Sequence, residues 1–254
     1  MLDLDGVVWL ADRPIPGSAE AVRRLRDAGE RVVVVTNNSS LTIAQYLDKL
    51  ERVGVPTAAE DLITSAQVAA GLVEAGTRAL VVGGDGIREA LSGRGVEVVD
   101  GDGGHAPVVD TVVVGWTRAF DYDVLTRAML AVRGGARLLG TNHDPTLPTP
   151  DGVLPGGGTL TTAIAYASGV PAVFAGKPNQ PTVDAAKQRF GPIEVMVGDQ
   201  PSTDGVLARR MGATWALVLT GVTRESDLPV DPAPDVVAPS LGELVTSRLG
   251  APAA

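Results

Sequence analysis

The chain opens with MLDLDGVVWL (residues 1–10), an apolar run into which two carboxylates, Asp3 and Asp5, are set. A run of that composition reads as the start of a buried strand, and acids in such a place are costly unless something pairs with them. The pair therefore asks for a site at the strand's end. Further β-branched runs follow at 31–35 (RVVVV), 78–82 (RALVV), 111–116 (TVVVGW), 136–140 (ARLLG), 172–176 (AVFAG), 194–198 (EVMVG) and 215–221 (WALVLTG). They are apolar on both faces and alternate with amphipathic helical segments, which predicts a parallel sheet covered on both sides, an α/β fold.

The helical segments carry recognisable ends. In GSAEAVRRLRDAG, Ser18 is the expected N-cap and Gly29 fits the position past the end. In LTIAQYLDKLERVG, Thr42 and Gln45 have capping-box spacing and Gly54 follows the last turn. DVVAPSLGELVTSRL, near the C-terminus, reads as a last strand and helix. After LITSAQVAAGLVEAG the texture changes to glycine-rich turns at 83–86, 93–95, 101–104 and 156–158. Residues 66–170 are accordingly expected to form an inserted domain, leaving a discontinuous core of 1–65 and 171–254.

Composition narrows the chemistry. A net charge of −9 with no block of Lys or Arg argues against nucleic acid and anionic membranes as partners. No apolar run reaches the roughly 20 residues of a bilayer span, and there is neither a secretory leader nor a cysteine, so a cytoplasmic location is expected. With His105 and His143 the only histidines, His-rich metal sites and Ser/His/Asp triads are nearly excluded. Acid and base work falls to carboxylates.

In open α/β sheets ligands bind beyond the carboxyl ends of the strands. Four runs end in polar groups there: Asp3, Asp5 and Gly6; Thr36, Asn37, Asn38 and Ser39; Lys177; Asp199 and Asp204. So many carboxylates together repel one another and call for a cation, and an all-oxygen set suits Mg²⁺ better than zinc. Hydroxyl, amide and ammonium groups beside it read as a cradle for a phosphoryl group. Other apparent motifs fail. GGDGIRE (83–89) lacks the third glycine of a dinucleotide fingerprint, DGDGGHAP from Asp100 has Thr111 where an EF-hand needs glutamate, and AGKP (175–178) lacks the Walker spacing.

DLDGV at 3–7, TNN at 36–38, GKP at 176–178 and GD at 198–199 with Asp204 five residues on resemble, in order, the four motifs of the haloacid dehalogenase-like (HAD) phosphatases. With TNHDPTLPTPDGVLPGGG (141–158), the chain is similar to the nitrophenylphosphatase-like subfamily. The resemblance implies a Rossmann-like core with a large α/β cap between the second and third motifs. It implies Asp3 as nucleophile and metal ligand, and Asp5 as acid/base whose backbone carbonyl meets Mg²⁺. Thr36, Asn37, Asn38, Gly6 and Lys177 would hold the phosphoryl group, and Asp199 and Asp204 would complete the metal site. His143 in the cap loop is expected to touch substrate, and His105 to lie on a surface loop.

The implied activity is Mg²⁺-dependent hydrolysis of a small phosphomonoester through an aspartyl-phosphate: glycerol phosphate, phosphoglycolate, a sugar phosphate or nitrophenyl phosphate. A phosphotransferase or mutase, or a phosphate-binding regulator without turnover, are the alternatives. A homodimer through the cap is compatible with the sequence, which has no feature that decides it. Three departures from the family pattern stand out. Only Met1 and Leu2 precede Asp3, so the natural start is expected a few codons upstream. Gln200-Pro201-Ser202 and Gly205 surround Asp204 unusually. Leu147 stands where relatives acting on pyridoxal phosphate carry a histidine.

Overall fold

The computed structural model describes residues 1–10, 13–100, 105–149 and 152–250. The glycine-rich turn at 101–104, which is half of the EF-hand-like stretch, lies outside them. Two parallel sheets organise the chain. In the first, Leu2 bridges both Val34 and Val197, so a very short central strand joins Val34–Thr36 and Leu62–Thr64 on one side to Val195–Gly198, Thr214–Val218 and Val236–Ala238 on the other. Leu2 N–H donates to Val33 O, and Leu2 O accepts from Val35 N–H, each at 2.9 Å. Short as it is, this strand exchanges ladder bonds on both sides.

Over its central strands both faces of that sheet are buried, as the run composition predicts, while the edge strand Val236–Ala238 is largely exposed. Val33, Val35, Met196, Trp215 and Leu217 pack into one apolar cluster, and Leu2, Leu4, Val34, Val197, Ala216 and Val218 into the other. Period-two alternation sends neighbouring residues to opposite faces. The helices Ser18–Asp27, Ile43–Arg52, Gln180–Phe190, Val206–Met211 and Leu241–Leu249 connect or follow these strands. The second sheet runs in the order Val173–Phe174, Arg137–Gly140, Thr111–Val114, Arg78–Val82, Glu97–Val99, all parallel, with helices Tyr122–Arg133 and Gly157–Ser168 among its connections. Among the described residues, no helix is long and apolar enough to cross a membrane.

Several local expectations change. The RVVVV run pairs only from Val34, because the central strand presents Leu2 as its ladder partner and nothing opposite 31–32. Val173–Phe174, expected in the core sheet, instead hydrogen-bonds to Leu139 and Gly140 of the second sheet. The first helix is capped by Gly17 at φ 83°, not by Ser18, whose hydroxyl donates to Val7 O at 2.8 Å and ties the helix to the first loop. The Thr42/Gln45 capping box forms as the spacing predicts, and a second one at Thr64/Gln67 starts helix Ser65–Gly71.

Candidate active site

The site lies at the carboxyl ends of the first sheet's strands. Asp3 ends the central strand; its Oδ1 accepts from Leu4 N–H at 2.8 Å and lies 2.7 Å from Lys177 Nζ. Lys177 follows strand Val173–Phe174 and is 2% exposed, and the same Nζ donates to Asp204 Oδ1 at 2.7 Å. Asp199, just past strand Val195–Gly198, completes the group: single carboxylate oxygens of Asp3, Asp199 and Asp204 lie within 4.8 Å of one another. Four residues from three strand ends, two in the first sheet and one in the second, thus meet around one point.

Each is fixed by local chain geometry. Asp204 sits in a wide turn, Pro201–Gly205, where its Oδ2 accepts from Gln200 N–H at 3.1 Å and its own N–H donates to Gln200 O at 2.8 Å. The unusual Gly205 has a packing reason, since a Cβ there would come within 3.0 Å of the Trp215 ring. Asp199 Oδ2 accepts from Val222 N–H at 2.5 Å, so a loop at 220–223 that the sequence did not single out orients it. Gly6 has φ 82°, and a Cβ on it would fall 2.4 Å from Asp199 Oδ2. Only glycine lets the Asp5 loop turn this close to Asp199.

Electrostatics follow from burial. Desolvation pushes the Asp3 carboxyl well above its usual range; Lys177 opposes this, while Asp204 and Asp199 reinforce it. Burial, then Asp204, raises Asp199 to about 7. For Lys177, burial alone would lower the pKa, but Asp204 and Asp3 together hold it above its ordinary value, so it stays an ammonium. One fixed cation faces three acids. An all-carboxylate cluster with excess negative charge is a donor set that suits a hard divalent ion such as Mg²⁺.

The remaining expected residues surround this centre. Asp5 lines the same cleft, and its Oδ1 accepts from Trp9 Nε1 at 3.0 Å; its side chain is not part of the three-carboxylate group. Thr36 is buried, with Oγ1 accepting from Asn38 N–H at 3.1 Å. Asn37 is held from three sides: its Nδ2 donates to Asp144 Oδ2 at 2.9 Å and Lys177 O at 3.1 Å, and its carbonyl accepts from Asn142 Nδ2 and Ser65 Oγ. Asn38 Oδ1 accepts from the Ser40 backbone and hydroxyl, which folds the loop on itself.

The structure does not bring His143 into this group. Its exposed ring stacks on Phe174 at 4.3 Å between centroids and lines a separate shallow cleft near Tyr166. Its neighbours Asn142 and Asp144 line the Asp3 cleft instead, with Trp116 and Leu147. His105 is exposed. Burial raises the Asp144 carboxyl, and the bond from Asn37 partly offsets this. The TNHDP stretch was the sequence signal for Asp144, but the histidine drew the reading. The cleft has a volume of about 100 Å³ and combines a buried carboxylate, an ammonium and hydroxyl and amide donors.

Comparison with known proteins gives a consistent picture. Residues 1–97 match the haloacid dehalogenase-like hydrolase family, and 174–244 the HAD-hydrolase-like family. The chain is 35% identical over 237 residues to a 5'-nucleotidase of Bacillus subtilis, covering 91% of this chain and 90% of that protein. It superimposes on p-nitrophenyl phosphatase from Archaeoglobus fulgidus with a TM-score of 0.88 at 28% identity, covering 97% of each chain. For glycerol phosphate phosphatase from Mycobacterium tuberculosis, crystallised in complex with magnesium, the TM-score is 0.85 at 32% identity, covering 96% of this chain and 75% of that one.

Proposed function

Because the chain belongs to the haloacid dehalogenase-like hydrolases, we propose that it cleaves small phosphate monoesters through a phosphoryl group carried transiently on Asp3. The observation that carries this reading is Lys177 Nζ at 2.7 Å from both Asp3 and Asp204, with Asp199 beside them. An Asp3 oxygen attacks phosphorus opposite the leaving oxygen, and water then hydrolyses the aspartyl-phosphate, dividing one hard step into two. Thr36 and the backbone of Asn37 and Asn38 hold phosphoryl oxygens, and Lys177 offsets charge on nucleophile and phosphoryl group together. Such positioning and charge stabilisation account for most of phosphoryl-transfer catalysis. Asp5 gives a proton to the leaving oxygen and later takes one from water.

The carboxylates of Asp3, Asp199 and Asp204, with the Asp5 carbonyl, would hold Mg²⁺. When bound, the ion supplies charge neutralisation at the nucleophile and the phosphoryl oxygens. We read residues 66–170, with strand Val173–Phe174 that pairs into their sheet, as the cap, whose Trp116, Asn142, Asp144 and Leu147 face the leaving group across a cleft that suits a small ester. Relatives named for nitrophenyl phosphate and glycerol phosphate support that substrate class. The test is release of inorganic phosphate from nitrophenyl phosphate, with and without Mg²⁺, in wild type and Asp3→Asn. The variant should lose at least about 10⁴-fold in kcat and keep its fold. Undiminished release would defeat the reading, and capture of the phosphoryl group by an added alcohol would make the chain a transferase.

A further inference from the structure

The loop after the nucleophile contains a second device. Leu4 O accepts from Val7, Val8 and Trp9 N–H, and Gly6 N–H donates to Trp9 O at 2.7 Å, so the chain reverses within a few residues. The reversal, possible because Gly6 takes φ 82°, carries the Trp9 indole back over Asp5. Trp9 Nε1 then stands 3.0 Å from Asp5 Oδ1, while Lys49 Nζ lies 4.3 Å from the centroid of the same ring.

A buried indole N–H needs an acceptor, but it need not be this one. Trp9, 1% exposed, spends its single donor on a carboxylate that faces the reaction cleft. An indole nitrogen only donates, and a carbonyl-type oxygen accepts better than a hydroxyl one, so the contact favours the carboxyl proton on the other oxygen, Oδ2. A cation over the ring face polarises the indole and strengthens that donation.

Resting on the phosphatase reading above, we infer that Trp9 is a positioning residue: it locks the Asp5 carboxyl in one rotamer and favours its transferable proton on Oδ2. As the bond from phosphorus to the leaving oxygen breaks and the Asp3 oxygen bonds to phosphorus, the Oδ2 proton passes to the leaving oxygen. In the second step water loses a proton to Oδ2 and bonds to phosphorus, the bond to Asp3 breaks, and phosphate departs.

The test compares nitrophenyl phosphate, whose leaving group departs readily as an anion, with phenyl phosphate, a poorer leaving group of the same ring that depends more on proton donation. Trp9→Phe keeps the ring over Lys49 and removes the donor. In the full chain with Mg²⁺, kcat/KM for phenyl phosphate should fall about tenfold further than for nitrophenyl phosphate, in line with loss of a hydrogen bond to a charged group. Losses equal within about twofold would assign Trp9 to packing alone and overturn the inference. If Trp9→Phe does not fold, the indole proton of Trp9 in the wild-type NMR spectrum should move upfield in Asp5→Ala while those of Trp116 and Trp215 stay. An unmoved Trp9 signal would overturn it equally. Full turnover of both esters by Asp5→Ala would instead defeat the role of Asp5 itself, independently of Trp9.

Discussion

Replacing Asp199 by asparagine keeps the acceptor for Val222 N–H and removes one of three crowded negative charges. Burial, reinforced by Asp204, raises this carboxyl from 3.8 to about 7, so its ionisation opposes folding over the interval between those values. A carboxyl whose folded pKa is raised leaves stability intact below the unfolded value and removes it as pH rises through the folded one. With those two values the cost is about 2 kcal/mol at pH 5 and about 4 kcal/mol at pH 8, a difference of about 2 to 3 kcal/mol. Asparagine does not ionise and escapes this cost. Asp3 is itself raised partly by Asp199, so the variant relieves both acids. Urea unfolding followed by circular dichroism in EDTA, at pH 5 and pH 8, measures it: the wild type should lose about 2 to 3 kcal/mol more stability than Asp199→Asn. Mg²⁺ added at pH 8 should restore the wild type more than the variant. Parallel pH profiles for the two proteins, within about 0.5 kcal/mol, would refute the claim that the cluster is short of positive charge.

One other perturbation probes the surroundings. Asp144→Ala deletes the acceptor that holds Asn37 Nδ2 and should lower kcat/KM about tenfold, with Asp144→Asn recovering most of it in steady-state assays.

The grouping of the cleft residues was legible in the sequence because it depends on contrast: Asp3, Thr36, Lys177 and Asp199 are polar groups that directly end apolar runs, and parallel sheets bring such ends together. Thr42 and Gln45 were legible because a capping box is a local pattern. What escaped was set by contacts distant in sequence or by backbone angle. Strand Leu62–Thr64 is too short to show a period. Gly17 displaced Ser18 as cap because the chain enters the helix from a positive φ, which residue type alone does not reveal. Asp144 and Val222 matter only through partners more than twenty residues away, Asn37 and Asp199. His143 was favoured by its chemistry, yet it points to Phe174 while its two neighbours face the cleft.

The residue 37–39 turn has bonds into both halves of the molecule: Ser65 and Lys177 on one side, and Asn142, Asp144 and Thr141 on the other. Prising the two sheets apart would therefore strip the turn of part of its scaffolding at the same moment that it opened a route to bulk water. On the phosphatase proposal, egress of inorganic phosphate and loosening of the groups that grip it would be a single mechanical event.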